Sequence, residues 1–107
     1  MTPSQVYWKA RIRGHGTPCE EAIIATDIIY SYHYANDIIK GRWEPGEGII
    51  ATNALYSNAY ARDIIKGRWE RVEPMLAQSW SWEDYLKNVF MTEEDRTVLI
   101  SKYGAPK

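Results

Sequence analysis

The chain has 107 residues, with 13 basic and 14 acidic side chains, five Trp, eight Tyr and one Cys. A formal net charge of −1 removes any global electrostatic case for nucleic acid or an anionic membrane, and the lone Cys19 excludes an intrachain disulfide. No apolar run reaches membrane-spanning length and the N-terminus lacks the apolar stretch of a signal peptide, so one domain over residues 1–107, soluble and cytoplasmic, is expected.

Thr2-Pro3 predicts the start of a first helix, with Thr at the N-cap and Pro in the first turn, where its missing N–H is harmless. This helix runs to about Arg13 and stops at Gly14. Thr17-Pro18-Cys19-Glu20 is a capping box that opens a short helix from Pro18 to about Ala25. Asp27 caps a longer helix ending near Lys40, with Gly41 expected as the left-handed residue beyond it. Glu44-Pro45 or Gly46 opens the next short helix, weakened by two glycines. Asn53 to Lys66, closed by Gly67, is the second long helix. A third short helix runs from Pro74 to about Gln78, and Ser79 or Ser81 caps the next long one, to about Phe90. Thr92-Glu93-Glu94-Asp95 opens the last helix, which ends before Gly104.

These elements repeat. Asp37-Ile38-Ile39-Lys40-Gly41-Arg42-Trp43-Glu44 returns unchanged as Asp63 to Glu70. Ala25/Ala51, Thr26/Thr52, Tyr30/Tyr56, Ser31/Ser57, Tyr34/Tyr60 and Ala35/Ala61 are identical at the same offset of 26. A fixed period of this size points to stacked supersecondary units. The fold expected is all-α: a compact array of helical hairpins, each a short helix, a turn and a long helix. Residues 18–43 and 44–69 are the two good copies. Residues 1–17 and 70–107 are degenerate capping units, because a terminal unit has to face water.

Positions identical in both copies (Tyr30, Tyr34 and Ile38, beside Ser31, Ala35 and Ile39) share one helical face, the expected packing face, with Tyr hydroxyls carried to a wet rim. Positions that differ also cluster: Ile29, Tyr32, His33 and Asn36 become Leu55, Asn58, Ala59 and Arg62. In a stack such a face is either solvated or the place where partners bind. Tyr32, His33, Asn36, Asn58 and Arg62 are therefore candidate partner-binding residues. Trp80 and Trp82 join them, since aromatic clusters mark interfaces.

Arg42-Trp43 and Arg68-Trp69 read in two ways. As a functional ladder, the pairs would stack bases or hold phosphates. As structure, each Trp plugs a unit junction and each Arg pairs with Glu44, Glu70 or helix-terminal carbonyls; identity between units favours this reading. Asp37 and Asp63 lie three residues before Lys40 and Lys66, the spacing of an intrahelical ion pair. His15, Cys19 and His33 do not have the spacing of a metal site, and no metal or cofactor is expected. Lys9, Arg11, Arg13 and His15 form a small basic patch beside Tyr7 and Trp8, with Glu20 and Glu21 close enough to neutralise it.

The stretch Tyr-Ala-x-Asp-Ile-Ile-Lys-Gly-Arg-Trp-Glu at 34–44 and 60–70 resembles a tandem repeat of uncharacterised phage, bacterial and giant-virus proteins. The resemblance covers residues 23–76 and carries no activity. It implies a phage or mobile-element protein, of the kind that binds and blocks a host machine.

No nucleophile stands beside a base and no phosphate loop is present, so an enzyme is not expected. The leading expectation is a non-enzymatic protein-binding module, of the phage type that inhibits a host defence or nucleic-acid enzyme. The alternatives are a nucleic-acid or nucleotide binder using Arg42, Trp43, Arg68 and Trp69, and a homo-oligomeric structural repeat protein.

Overall fold

Eight α-helices, lengthened in two places by π-helical turns, make up the computed structural model, which describes residues 2–106. Helix α1 spans Pro3–Arg13, α2 Pro18–Ile24, and α3 Ile28–His33 with a π-helical continuation over Tyr34–Ile39. Helix α4 spans Glu44–Ile50, and α5 Ala54–Tyr60 with a π-helical continuation over Ala61–Ile65. A 3₁₀ turn over Glu70–Val72 leads into α6, Glu73–Leu76. Helices α7, Ser81–Asn88, and α8, Glu93–Tyr103, complete the chain. The arrangement is all-helical and repeat-like, 45 × 21 × 17 Å in extent.

Local chemistry sets most of the boundaries. Thr2 and Thr17 each accept from the third backbone N–H of their helix, while Gln5 and Glu20 reach back to the cap N–H. Asp27 and Asn53 accept from the N–H of Tyr30 and Tyr56. Gly14 stops α1 at φ 96°, a left-handed conformation that glycine adopts without steric cost.

The long helices end differently from the expectation. Lys40 and Lys66, not Gly41 and Gly67, are left-handed, at φ 60° and 59°. The change accompanies a widened final turn. The N–H of Lys40 bonds Ala35 O and that of Lys66 bonds Ala61 O, each five residues back. A π turn encloses one more residue than an α turn, and the left-handed lysine is the residue whose N–H closes it. The Asp37–Lys40 and Asp63–Lys66 pairs are not formed. Asp37 instead accepts from Tyr7, and Asp63 from Tyr32 and Arg62. Ser79 and Ser81 do not cap α7 from its N-cap position, which Trp80 occupies.

The core threads the rod. Val6, Tyr7 and Ala10 of α1 are buried against the neighbouring helices, as are Ser31, Tyr34 and Ala35 of the first long helix and Ser57, Tyr60 and Ala61 of the second. Ser31 and Ser57 donate to the carbonyls of Ile24 and Ile50, which fastens each long helix to the short helix before it. Trp43 and Trp69 fill the junctions. The ring of Trp43 lies 4.6 Å from that of Tyr34, and the ring of Trp69 lies 4.9 Å from that of Tyr60.

The two glycines of α4 have different roles. A Cβ on Gly46 would stand 2.6 Å from the Trp43 ring and 3.0 Å from Ser31 Cβ, whereas one on Gly48 would meet nothing within 4 Å. Gly46→Ala is expected to cost about 1–3 kcal/mol through overpacking. Gly48→Ala is expected to stabilise by roughly 0.5–1 kcal/mol, as alanine does in an exposed helical position. Urea denaturation of the two variants measures both, and equal midpoints would contradict the packing described.

Candidate functional site

Two hydrogen-bond ladders run along the rod. The inner ladder is built on three carboxylates that stand at offsets of 26: Glu21, Glu47 and Glu73. Glu47 and Glu73 are 6% and 2% exposed. Arg42 grips Glu47 with Nε and Nη2, both at 2.9 Å, and Arg68 grips Glu73 in the same way. Tyr60 Oη donates to Glu47 at 2.7 Å and accepts from the Trp43 backbone N–H at 2.8 Å. Tyr85 Oη repeats this with Glu73 at 2.6 Å and the Trp69 N–H at 2.9 Å. In the first tier Tyr34 Oη donates to Glu21 at 2.5 Å and accepts from the Gly16 N–H at 3.1 Å, with no arginine present.

The outer ladder joins successive long helices. Tyr7 donates to Asp37 at 2.6 Å and Tyr32 to Asp63 at 2.8 Å. Asn58, at the next equivalent position, donates to Asp84. Arg62 spans two rungs, holding Asp63 at 2.9 Å and Asp84 at 3.1 Å. The arginine keeps the Asp63 carboxyl below its ordinary range, while Asn58 is the main cause of the same shift at Asp84. The Asn58 Oδ1 is a buried side-chain atom with no partner among the described residues.

These ladders absorb most of the residues singled out in the sequence. Trp43 and Trp69 are buried, and Arg42 and Arg68 are bound to Glu47 and Glu73 rather than chiefly to Glu44 and Glu70. Arg68 also reaches Asp95 at 3.2 Å, and Glu70 stands 4.0 Å away. The Tyr34 and Tyr60 hydroxyls meet carboxylates within the tiers instead of a wet rim. Tyr32, Asn58 and Arg62 form the seam between long helices, and Asn58 is buried. His33 is partly exposed, 3.8 Å from Asp37, and Asn36 is exposed with a hydrogen bond to Asp37. Trp82 is buried, stacked on Tyr85, with Nε1 donating to Gly104 O; Trp80 stands free. The basic patch is met by Glu20, which Arg13 contacts at 2.6 Å. Cys19 is exposed, and no group of three or more His, Cys, Asp or Glu gathers into a metal-binding cluster among the described residues.

The variable face therefore divides. Its seam half bonds helix to helix, and its outer half carries an apolar row. Ile29, Leu55 and Trp80 hold equivalent places at the start of three successive long helices, at offsets of 26 and 25. They are 45%, 64% and 87% exposed. A cleft of about 380 Å³, lined by Thr26, Ile28, Ile29, Ile49, Asn53 and Tyr56, opens beside Ile29 between the first and second long helices.

The ladder carboxylates Glu21, Glu47 and Glu73 were not singled out in the sequence, because neither burial nor the distant tyrosine partner of each is visible there. Their common offset of 26 was the available signal. Comparison with protein-family models, with curated proteins and with solved structures found no match. No helix among the described residues is long and apolar enough to cross a membrane.

Tyr60→Phe keeps the ring and removes the hydroxyl, stranding the Trp43 N–H and one hydrogen-bonding site on Glu47. A loss of about 1–3 kcal/mol is expected, as for an unsatisfied buried group, and a midpoint unchanged in urea would contradict the tier. Alkaline titration gives a second check. Burial, reinforced by the carboxylate each one bonds, pushes the Tyr7, Tyr32 and Tyr34 phenols up to about 12; burial and the carboxylates raise Tyr60 and Tyr85 as well. The unfolded chain loses these protons near pH 10 while the folded chain retains them. Their contribution to stability is thus complete below about pH 10 and is lost as pH rises toward the folded values. The urea midpoint is expected to fall over that interval, with tyrosinate absorbance at 295 nm lagging that of the unfolded chain.

Proposed function

We propose that the protein is a non-enzymatic protein-binding module built from stacked helical hairpins of period 26. Units 18–43 and 44–69 are the regular copies, and 1–17 and 70–107 are the altered terminal ones. The observation that carries this reading is the row of Ile29, Leu55 and Trp80. Three successive units hold a large apolar side chain toward solvent at the same place, while Trp43, Trp69, Trp82 and most of the tyrosines are buried or hydrogen-bonded. A contiguous exposed apolar surface on a rigid support is the usual mark of a protein interface. The binding residues then shift outward from the sequence expectation. Trp80 stays, with His33 and Asn36 at the margin. Tyr32, Asn58, Arg62 and Trp82 support the surface from behind.

The nucleic-acid reading gains nothing from the geometry. A base-stacking platform requires an open ring face, and the rings of Trp43 and Trp69 are packed inside with their arginines in ion pairs. The resemblance to phage, bacterial and giant-virus repeats supports a narrower form of the proposal, a cytoplasmic inhibitor of a host defence or nucleic-acid enzyme. A rigid rod with one apolar edge acts there by occlusion and needs no catalytic group.

The test uses tagged full-length protein in host lysate beside a Leu55→Asp/Trp80→Asp variant. Both substituted side chains are exposed, so helical content and melting temperature are expected to be retained. A stoichiometric protein captured by the parent and lost with the variant supports the reading. Capture that survives the double substitution, or a captured nuclease-sensitive nucleic acid, overturns it.

A further inference from the structure

The two ends of the rod differ in charge and both expose apolar side chains. Helix α1 turns Val6, Tyr7 and Ala10 inward. The opposite side presents Trp8, Lys9 and Ile12, with Ile12 87% exposed, and Arg11 and Arg13 lie at its flanks. Residues 2–17 contain these three cations and no carboxylate. At the other end, residues 70–103 contain seven carboxylates against Arg71, Lys87, Arg96 and Lys102. The first turn of α8 is Glu93-Glu94-Asp95, with Phe90 81% exposed just ahead of it and Val98 exposed one turn further on.

Internal pairings leave charge available at both ends. Arg13 is held by Glu20, and Arg11 stands 3.9 Å from Asp37, whose carboxylate already accepts from Tyr7. Lys9 makes no ion pair among the described residues. At the far end Asp95 is taken by Arg68 and Glu93 by Arg96, while Glu94 is exposed with no ion pair among the described residues.

Comparison of the tiers says what Lys9 faces. Val6, Tyr7 and Ala10 correspond to Ser31, Tyr32 and Ala35, which places Lys9 at the position of Tyr34, and so of Tyr60 and Tyr85. In each of those tiers this residue reaches a short-helix carboxylate, Glu21, Glu47 or Glu73. On α1 the same position is a cation in solvent. An acidic helix end laid against α1 would meet Lys9 where the inner carboxylates meet tyrosine.

We propose that the surface of α1 around Trp8, Lys9 and Ile12 takes the acidic α8 end of a second copy of this chain, around Phe90, Glu94 and Val98. The contact is heterologous: it joins unlike surfaces and leaves one of each open, so it adds copies end to end instead of closing a dimer. It uses the ends of the rod, leaves the row of Ile29, Leu55 and Trp80 uncovered, and does not rest on the function proposed above.

Sedimentation velocity and light scattering of the full chain, over a concentration series at low and high salt, test this. The weight-average mass is expected to rise with concentration beyond that of a dimer, and to fall with added salt as exposed charges are screened. Lys9→Glu/Arg11→Glu makes both ends acidic, and Glu93→Lys/Glu94→Lys makes both ends basic. Each variant alone is expected to associate at least about tenfold more weakly, because like charges then oppose each other across the contact. An equimolar mixture restores opposite charges at every junction and is expected to recover the association. Circular dichroism checks that these surface changes leave the helices intact. A single monomer mass at all concentrations, a dimer that does not grow, or a mixture no more associated than its separate components would each overturn the proposal.

Discussion

A carboxylate placed among aromatic rings has to be fully partnered, and the packing of this protein follows from how Glu47 and Glu73 are satisfied. An unpaired charge at such depth would cost several kcal/mol. Here each carboxylate accepts two N–H bonds from one guanidinium and an O–H bond from one tyrosine. The shift at Glu47 agrees: Arg42 holds its carboxyl below the ordinary range against the opposing effect of burial. The partners come from fixed places in the chain. The arginine lies five residues before the glutamate and the tyrosine about one long helix after it. Meeting both requires the chain to turn at Trp43 or Trp69, whose backbone N–H then faces the tyrosine oxygen and whose ring lies on the previous tyrosine. One polar group thus positions a short helix, the junction and the following long helix.

The π-helical turns belong to the same scheme. They lie where Asp37 and Asp63 take their hydroxyl donors from the preceding long helix, and each is closed by the lysine that leaves the helix. The left-handed backbone falls on lysine in both copies, a conformation that costs an L-residue roughly 1–2 kcal/mol. Gly41 and Gly67, one residue later, do not have positive φ. Tier and seam together fix where each long helix ends.

The helices, their order and the repeat were legible in the sequence because they rest on local chemistry. Thr2, Thr17, Asp27, Asn53 and Thr92 cap the helices their positions indicate, and Gly14 stops α1. What was not legible depends on an extra residue in a turn or on a partner far along the chain. The stop falls on Lys40 instead of Gly41, and Asp37 accepts from Tyr7 instead of pairing with Lys40, at a widened turn that regular α spacing does not foresee. Arg42 and Arg68 were assigned to near neighbours in sequence, while their main partners sit one helical turn further on. Variation between copies was read as a single exposed face. It marks two things, because Tyr32 and Asn58 differ in size yet both donate across the seam, whereas Ile29 and Leu55 differ without any internal partner. The outer row became distinguishable only once burial separated these halves.

Trp43 and Trp69 each belong to two units at once, lying on the tyrosine of one and donating to the tyrosine of the next. No unit can therefore melt without exposing part of its neighbour, and the middle of the rod behaves as one cooperative block. The first tier is joined to the second through Trp43, but among the described residues no tryptophan joins it to anything on its other side. Its carboxylate has a tyrosine but no arginine, and a glycine, Gly16, supplies the N–H that a tryptophan supplies elsewhere. With fewer partners holding its carboxylate, the N-terminal tier is the natural place for structure to begin to loosen, ahead of the tiers of Tyr60 and Tyr85.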